Sequence, residues 1–125
     1  MAHLTRLYIQ ETNIRSLLPV AGAVNIDYLS ASYNMLETLD GLETLTKLRT
    51  LAVMSNELYD ISGVANATNL VGFYAAENMI TDISVLGGLP NLYDINLGRN
   101  CITDFSPVAH VPYVEGMDSQ TACGE

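Results

Sequence analysis

The chain has 125 residues, of which 49% are hydrophobic and 15% are charged. This length and composition predict one globular domain rather than a disordered chain. The formal net charge is −9, from 14 acidic residues against 5 Lys and Arg. Nucleic acids and anionic membranes bind clustered cations, so the charge balance argues against both and favours basic proteins or neutral ligands.

No apolar stretch approaches the roughly 20 residues that a membrane-spanning helix requires. The nearest candidate, SLLPVAGAV at 16–24, is short and is interrupted by Pro19. Residues 1–15 contain no apolar core of the kind that export signals carry, although a mature chain would have lost such a signal. We therefore expect no membrane insertion.

From Leu4 onward the sequence repeats with a period of 22 residues. Stepping from Leu4 gives Ile26, Leu48, Leu70, Leu92 and Val114, and the columns that begin at Leu7, Ile9, Ile14, Leu17, Val20 and Ala23 are also largely apolar. No insertion or deletion interrupts five consecutive units. We therefore treat residues 1–125 as a single domain with repeats 4–25, 26–47, 48–69, 70–91 and 92–113 and a partial repeat 114–125.

Each unit fits the pattern L-x-x-L-x-L-x-x-N-x-L, which is typical of leucine-rich repeats. A coil of 22 residues cannot enclose a core alone, but stacked coils pool their inward side chains. The segment with apolar residues in alternation predicts a short strand, and successive strands should pair in parallel. The expected fold is α/β: a right-handed solenoid with a parallel β-sheet on its concave face and short 3-10 turns on its convex face.

An asparagine column lies at the corner after each strand, at Asn34, Asn56, Asn78 and Asn100, with Thr12 in the first coil. An inward asparagine has two donors and an acceptor for the backbone groups that the corner exposes. These residues predict a structural ladder of hydrogen bonds rather than a functional site.

A second polar column contains Ser16, Thr38, Asp60, Asp82 and Asp104. All five are residue types that cap helices, so each is expected to begin a short helical turn. The stacked aspartates alternatively suggest calcium, which needs 6–8 oxygen ligands. Capping explains the column without a metal, because serine and threonine occupy it too.

The two cysteines, Cys101 and Cys123, lie 22 residues apart and so in equivalent places of adjacent coils. Stacked coils would bring their Cα atoms within roughly 5 Å, which is inside the range for a disulfide. The alternative is two unbridged thiols near the end of the chain.

The sequence contains no recognisable catalytic or cofactor-binding pattern. His3 is near the terminus and His110 lies on the predicted convex turn, so neither has an identifiable nucleophile beside it. No metal-binding spacing of histidines or cysteines and no glycine-rich phosphate loop is present. We therefore expect no enzymatic activity, no cofactor and no metal.

The segments NMITDISVLGGLPNL (78–92) and NCITDFSPVAHV (100–111) resemble the short repeats of bacterial internalins and of the eukaryotic phosphatase-regulator class. The resemblance covers residues 4 to about 121. It implies protein binding through the concave face, at the cell surface or in secreted form if internalin-like and in the cytoplasm if phosphatase-regulator-like. The chain departs from internalins in two ways: no helical cap precedes Leu4, and no polar cap module follows the last coil.

The resemblance implies that the partner-binding residues are the outward ones of the strands and the positions just beyond them. The candidates are Arg6, Tyr8, Tyr28, Tyr33, Met54, Tyr74, Asp94, Asn96, Arg99 and Asp118. Tyrosine and arginine are common anchors of protein interfaces. The alternative explanation is that strand surfaces favour tyrosine in any case.

Two functions of different classes are consistent with this sequence. The first is a protein-recognition module that binds an unidentified, partly basic partner. The second is a structural role in which uncapped solenoid ends stack on other copies to form dimers or filaments, because an end coil without a polar lid exposes a section through the core.

Overall fold

The computed structural model of the protein describes residues 4–121, which form six parallel strands joined by convex turns. The strands, each of three residues, are β1 (Arg6–Tyr8), β2 (Tyr28–Ser30), β3 (Thr50–Ala52), β4 (Gly72–Tyr74), β5 (Asp94–Asn96) and β6 (Tyr113–Glu115). They pair in chain order. Short 3-10 helices lie at Leu18–Val20, Ser62–Val64, Ser84–Gly88 and Ser106–Val108. The expected fold class is confirmed.

The register of the first five strands follows the 22-residue step. Leu7 pairs with Leu29, Leu29 with Leu51, Leu51 with Phe73 and Phe73 with Ile95. Equivalent residues of successive coils therefore lie side by side in the sheet, and each strand contributes one side chain of this column to the core.

The sixth strand departs from the step, and the predicted boundary between repeats 92–113 and 114–125 is wrong. Ile95 pairs with Val114 instead of Met117, so the strand arrives three residues early. Earlier coils make one more turn before their strand, as in the hydrogen bond from Leu70 N–H to Ala67 C=O. The fifth coil omits that turn. Tyr113 and Val114 are strand-favouring residues and displace the Gly-Met-Asp that the step predicts.

The core is one continuous cluster that runs along the solenoid. Leu29, Leu51 and Phe73 are fully buried, and the columns behind them are filled mainly by leucine, isoleucine and valine. Toward the first strand, Leu4 and Leu7 are only partly buried against this cluster. Met117, which the 22-residue step places in the core, is 52% exposed because the last strand ends before it.

The asparagine column lies between coils, and each side chain bonds to its own coil and to the preceding one. The Asn78 Oδ1 accepts hydrogen bonds from the backbone N–H groups of Asn56 at 3.1 Å and Leu58 at 3.0 Å. Its Nδ2 donates to the carbonyl oxygens of Val53 and Ala75, both at 3.0 Å. Equivalent hydrogen bonds are made by Asn34, Asn56 and Asn100.

Gln120 occupies the place that the next asparagine of the ladder would take. Its Oε1 accepts a hydrogen bond from Ile102 N–H at 2.9 Å, and its Nε2 donates to the carbonyl oxygens of Leu97 at 2.7 Å and Gly116 at 2.8 Å. The longer side chain reaches the corner despite the shortened coil.

The second polar column lies one residue before the N-cap positions of the convex 3-10 helices and does not cap them, so the capping prediction was wrong. The N-cap residues are Leu17, Ile61, Ile83 and Phe105, none of which makes a side-chain capping hydrogen bond. No 3-10 helix lies between Thr38 and β3.

The Asp82 carboxylate accepts a hydrogen bond from Ser84 N–H at 2.8 Å, and each member of the second polar column accepts one from the N–H two residues further on. Hydrogen bonds from the backbone and the hydroxyl of the following serine lower the pKa of Asp60, Asp82 and Asp104. The carboxylate form is thus the one that the turns stabilise.

Candidate functional site

The outward side chains of the six strands form two columns on the concave face. The first contains Arg6, Tyr28, Thr50, Gly72, Asp94 and Tyr113, and the second contains Tyr8, Ser30, Ala52, Tyr74, Asn96 and Glu115. Six of the predicted binding residues lie in these columns: Arg6, Tyr8, Tyr28, Tyr74, Asp94 and Asn96. Parallel pairing places them on a single surface because every strand keeps the same side outward.

An aromatic cluster lies at the β1 end of this surface. The rings of Tyr8 and Tyr28 have centroids 5.3 Å apart and are tilted by 40°. The Arg6 guanidinium carbon lies 6.0 Å from the centroid of the Tyr28 ring, which is a cation–π distance. Tyr8 remains 56% exposed, so the cluster holds its rings in place and still presents them to solvent.

Tyr74 lies at the centre of the face, and its ring is held at the hydroxyl end. Its edge lies above Gly72, where a Cβ atom would be 3.1 Å from the ring and the hydroxyl. Its hydroxyl donates a hydrogen bond to the Asp94 carboxylate at 3.2 Å. Burial and then the carboxylates of Asp94 and Glu115 raise the pKa of Tyr74. The hydroxyl therefore remains a donor at neutral pH.

The rim beyond the strands is a column of residues in the left-handed backbone conformation. Their φ angles lie between 55° and 62°, at Glu11, Tyr33, Ser55, Glu77 and Arg99. This conformation is uncommon for residues other than glycine. It turns the chain at each corner. The backbone N–H still bonds to the next coil, as from Tyr33 N–H to the Met54 carbonyl oxygen at 2.8 Å. Tyr33 and Arg99 thus lie exposed at the rim.

A shallow hollow of about 320 Å³ lies between the rim and the last two strands. Three predicted residues, Met54, Asn96 and Arg99, line it, and its remaining lining is Ala76, Glu77, Gly98, Glu115, Gly116 and Ser119. The Asn96 Oδ1 accepts a hydrogen bond from Gly98 N–H at 3.0 Å. The small residues Ala76, Gly98, Gly116 and Ser119 leave space here.

Asp118 is the predicted site residue that the strand register displaces. It lies beyond the end of β6 and is exposed, so its placement on the strand was wrong. Tyr113 and Glu115 take the two concave positions, and neither is among the predicted binding residues. The signal that could have found them is the alternation in Tyr113–Glu115, which is more typical of a strand than the glycine-containing segment that follows.

Cys101 is buried at the corner after Asn100. Cys123, the other member of the predicted disulfide, lies outside the described residues. The bridge between Cys101 and Cys123 therefore stays a prediction.

Residues 4–121 contain no group of three or more His, Cys, Asp or Glu side chains that could hold a metal ion. In the same part of the chain, no helix is long and apolar enough to cross a membrane. His110 contacts the Leu89 carbonyl through Nε2 at 3.0 Å on the convex side, away from the concave columns. This contact gives the imidazole a structural role between neighbouring coils.

Comparison with known proteins places this architecture among leucine-rich repeats. The family described as "Leucine Rich repeats (2 copies)" matches residues 68–110. The structure of internalin C2 from Listeria monocytogenes superposes with a TM-score of 0.87 at 32% identity, over 94% of this chain. An internalin, InlF, from the same organism superposes with a TM-score of 0.91 at 30% identity, over 98% of this chain. No curated protein matches the sequence.

The chain spans 52% of the length of the internalin C2 structure and 36% of that of the InlF structure. The shared part is the stack of short coils, with the parallel sheet on one face and 3-10 turns on the other. The chain therefore has a leucine-rich repeat fold that is similar to that of these internalins.

Proposed function

We propose that this protein is a non-catalytic recognition module that binds a protein partner through the concave face of its sheet. The observation that carries the proposal is the group of tyrosines on that face. Tyr8 is exposed and Tyr28 and Tyr74 are half-buried, and exposed Tyr33 lies beside them at the rim. Tyrosine anchors many protein interfaces because a rigid ring buries a large area and loses little conformational entropy.

The contacts among these tyrosines support a preorganised surface. Tyr28 lies between the Tyr8 ring and the Arg6 guanidinium, and Tyr74 is held by Asp94. Side chains that are already ordered in the free protein lose less freedom when a partner binds. Stacked coils also present an extended and nearly rigid surface, which suits a folded protein or a long peptide.

Charge supports a partner with basic character. The chain carries a net charge of −9, and Asp94 and Glu115 lie on the concave face itself. A basic partner would be attracted at long range, and the rate of association would fall as salt is added.

The test is a pull-down that compares the intact chain with Tyr8→Ala/Tyr28→Ala/Tyr74→Ala. Truncating interface anchors costs more than about 1 kcal/mol each, so we expect partners captured by the wild type to be lost from the triple variant. The matched control is Leu18→Ala/Tyr59→Ala/Met79→Ala, which removes three exposed side chains that lie off the strands. Equal capture by all three proteins, each verified as folded by circular dichroism, would contradict concave-face binding.

A second candidate function, head-to-tail stacking of copies, is favoured by one observation. Among residues 4–121, β1 and β6 are the edge strands, and an apolar hollow of about 270 Å³ next to β6 is lined by Phe105, Val108, Ala109, Val111, Pro112, Val114 and Met117. Exposed strand edges and apolar patches favour association. Light scattering over a concentration series tests this candidate, and a mass that stays monomeric at the highest concentration would reject it.

A further inference from the structure

A second pair of tyrosines lies at the β6 end of the sheet, beside two carboxylates. The rings of Tyr93 and Tyr113 have centroids 5.1 Å apart and meet edge to face at 67°. Both side chains are more than half exposed, at 51% and 56%. Together with Asp94 and Glu115 they border an open space of about 520 Å³, which we call the tyrosine–carboxylate hollow.

The hollow exists because the last strand is shifted by three residues. The shift pairs Tyr113 with Asp94 and Glu115 with Asn96. Under the unbroken 22-residue step, Gly116 and Asp118 would occupy these positions, and no ring would lie beside Tyr93. The combination of two rings with two carboxylates is thus a product of the strand register.

The hollow is negatively charged and has no cation of its own. Its six lining residues, all within the described chain, are Tyr93, Asp94, Pro112, Tyr113, Val114 and Glu115. Pro112 and Val114 add apolar walls that suit the aliphatic stem of a long side chain. The raised pKa of neighbouring Tyr74, to which burial and then Asp94 and Glu115 contribute, indicates that both carboxylates act on this part of the face.

The other end of the same sheet already contains the complementary arrangement within the chain. There the Arg6 guanidinium carbon lies 6.0 Å from the Tyr28 ring centroid. At the β6 end the rings are present and a guanidinium is not among the lining residues. The strand columns of the concave face therefore carry a cation at β1 and carboxylates at β5 and β6. Arg99 lies at the rim and borders the neighbouring hollow together with Glu115.

We propose that the tyrosine–carboxylate hollow binds an arginine or lysine side chain of a basic protein segment lying along the concave face. The cation would lie against the Tyr93 and Tyr113 rings and pair with the carboxylates of Asp94 and Glu115. This inference rests on the proposed protein-binding function and adds the partner's chemistry and the end of the sheet at which its basic side chain is located.

The direct test is an NMR titration of the intact chain with N-acetyl-arginine amide. N-acetyl-citrulline amide serves as the neutral control of nearly equal shape. We expect the arginine probe to shift the resonances of Tyr93, Tyr113 and Glu115 in a saturable manner, and the citrulline probe to leave them nearly unchanged. Equal shifts from both probes, or no saturable shift from the arginine probe, would overturn the proposal.

Variants separate the hollow from the general charge of the molecule. Asp94→Asn/Glu115→Gln should weaken binding of the arginine probe about three- to tenfold, since two exposed charge pairs are lost. Glu37→Gln/Glu57→Gln removes the same charge from exposed positions outside the concave columns and should leave the affinity within about twofold. Equal weakening by both double variants would show attraction by net charge alone and would overturn the proposal.

A third variant tests the rings independently of the charges. Tyr93→Leu/Tyr113→Leu keeps apolar bulk at both positions. This variant should weaken binding of the arginine probe about two- to fivefold, because the cation–π contacts are lost. An unchanged affinity for the arginine probe would show that the two rings do not bind the cation and would overturn that part of the proposal. The outcome is independent of the pull-down: loss of partner in the tyrosine triple variant together with no arginine binding would leave the recognition function standing and reject only this hollow.

Discussion

The asparagine corner shows at the scale of single residues how the coils are joined. Asn78 bonds backbone groups of its own coil at Ala75 and of the preceding coil at Val53 and Leu58. Each such side chain satisfies donors and acceptors that a sharp corner would otherwise bury without partners. Among the described residues, every buried side-chain nitrogen and oxygen has a hydrogen-bond partner.

Replacing Asn78 by alanine is predicted to destabilise the fold strongly. The change removes the acceptor of the buried N–H groups of Asn56 and Leu58, at a cost of about 1–3 kcal/mol. Urea denaturation measures the change. The control is Asn66→Ala, which removes one exposed hydrogen bond to the Glu43 carbonyl and should alter stability by less than about 0.5 kcal/mol. Equal losses would contradict the ladder as the source of stability.

At the scale of the element, a coil consists of a three-residue strand, a left-handed corner and a convex turn that a polar side chain precedes. Hydrogen bonds to the following serine lower the pKa of Asp60, Asp82 and Asp104. A lowered pKa means that the folded state prefers the carboxylate. The stabilisation is complete above the ordinary aspartate pKa of about 3.9 and is lost as the pH falls through the lowered values.

Replacing Asp60, Asp82 and Asp104 together by serine is predicted to flatten the acid limb of the stability curve. A serine hydroxyl accepts the same hydrogen bond, as Ser16 does from Leu18 N–H, but it does not titrate. Urea midpoints measured from about pH 7 down to about pH 3 compare the two proteins in the window where aspartate titrates. Carboxylates common to both cancel in the difference. Parallel curves, or a steeper loss in the variant, would contradict the role of these carboxylates.

At the scale of the molecule, stability depends on contacts between neighbouring coils. Leu51 is fully buried with a coil on each side, whereas Leu7 in the first strand is only partly buried. A stack of this kind gains stability from each interface between adjacent coils. A residue in the middle therefore contributes through two interfaces and a residue of the first strand through one.

Leu51→Ala is predicted to cost about 2–5 kcal/mol, because it opens a cavity in the middle of the continuous core. Leu7→Ala should cost less, since its side chain is already partly exposed and one neighbouring coil is involved. Chemical denaturation of both variants measures the two losses. A loss for Leu7→Ala as large as that for Leu51→Ala would show that burial does not follow position in the stack.

The amino-acid sequence by itself determined the repeating architecture. Equivalent apolar residues recur every 22 positions, and a coil with this pattern can bury its inward side only against a copy of itself. The pairing of β1 to β5 and the position of Asn34, Asn56, Asn78 and Asn100 follow from that single constraint. Six of the ten predicted binding residues consequently lie on the strands of one surface, and Met54 and Arg99 border a hollow beside it.

The tertiary structure alone decided the last coil. The repeat pattern is weak after Val111. The register of β6 is therefore set by the strand propensity of Tyr113 and Val114 and by pairing with β5. Pairing between strands is a contact between distant parts of the chain, and local sequence does not specify it where the pattern fades. The same register places Gln120 at the end of the asparagine ladder and Tyr113 beside Tyr93, because both positions depend on how β6 pairs with β5.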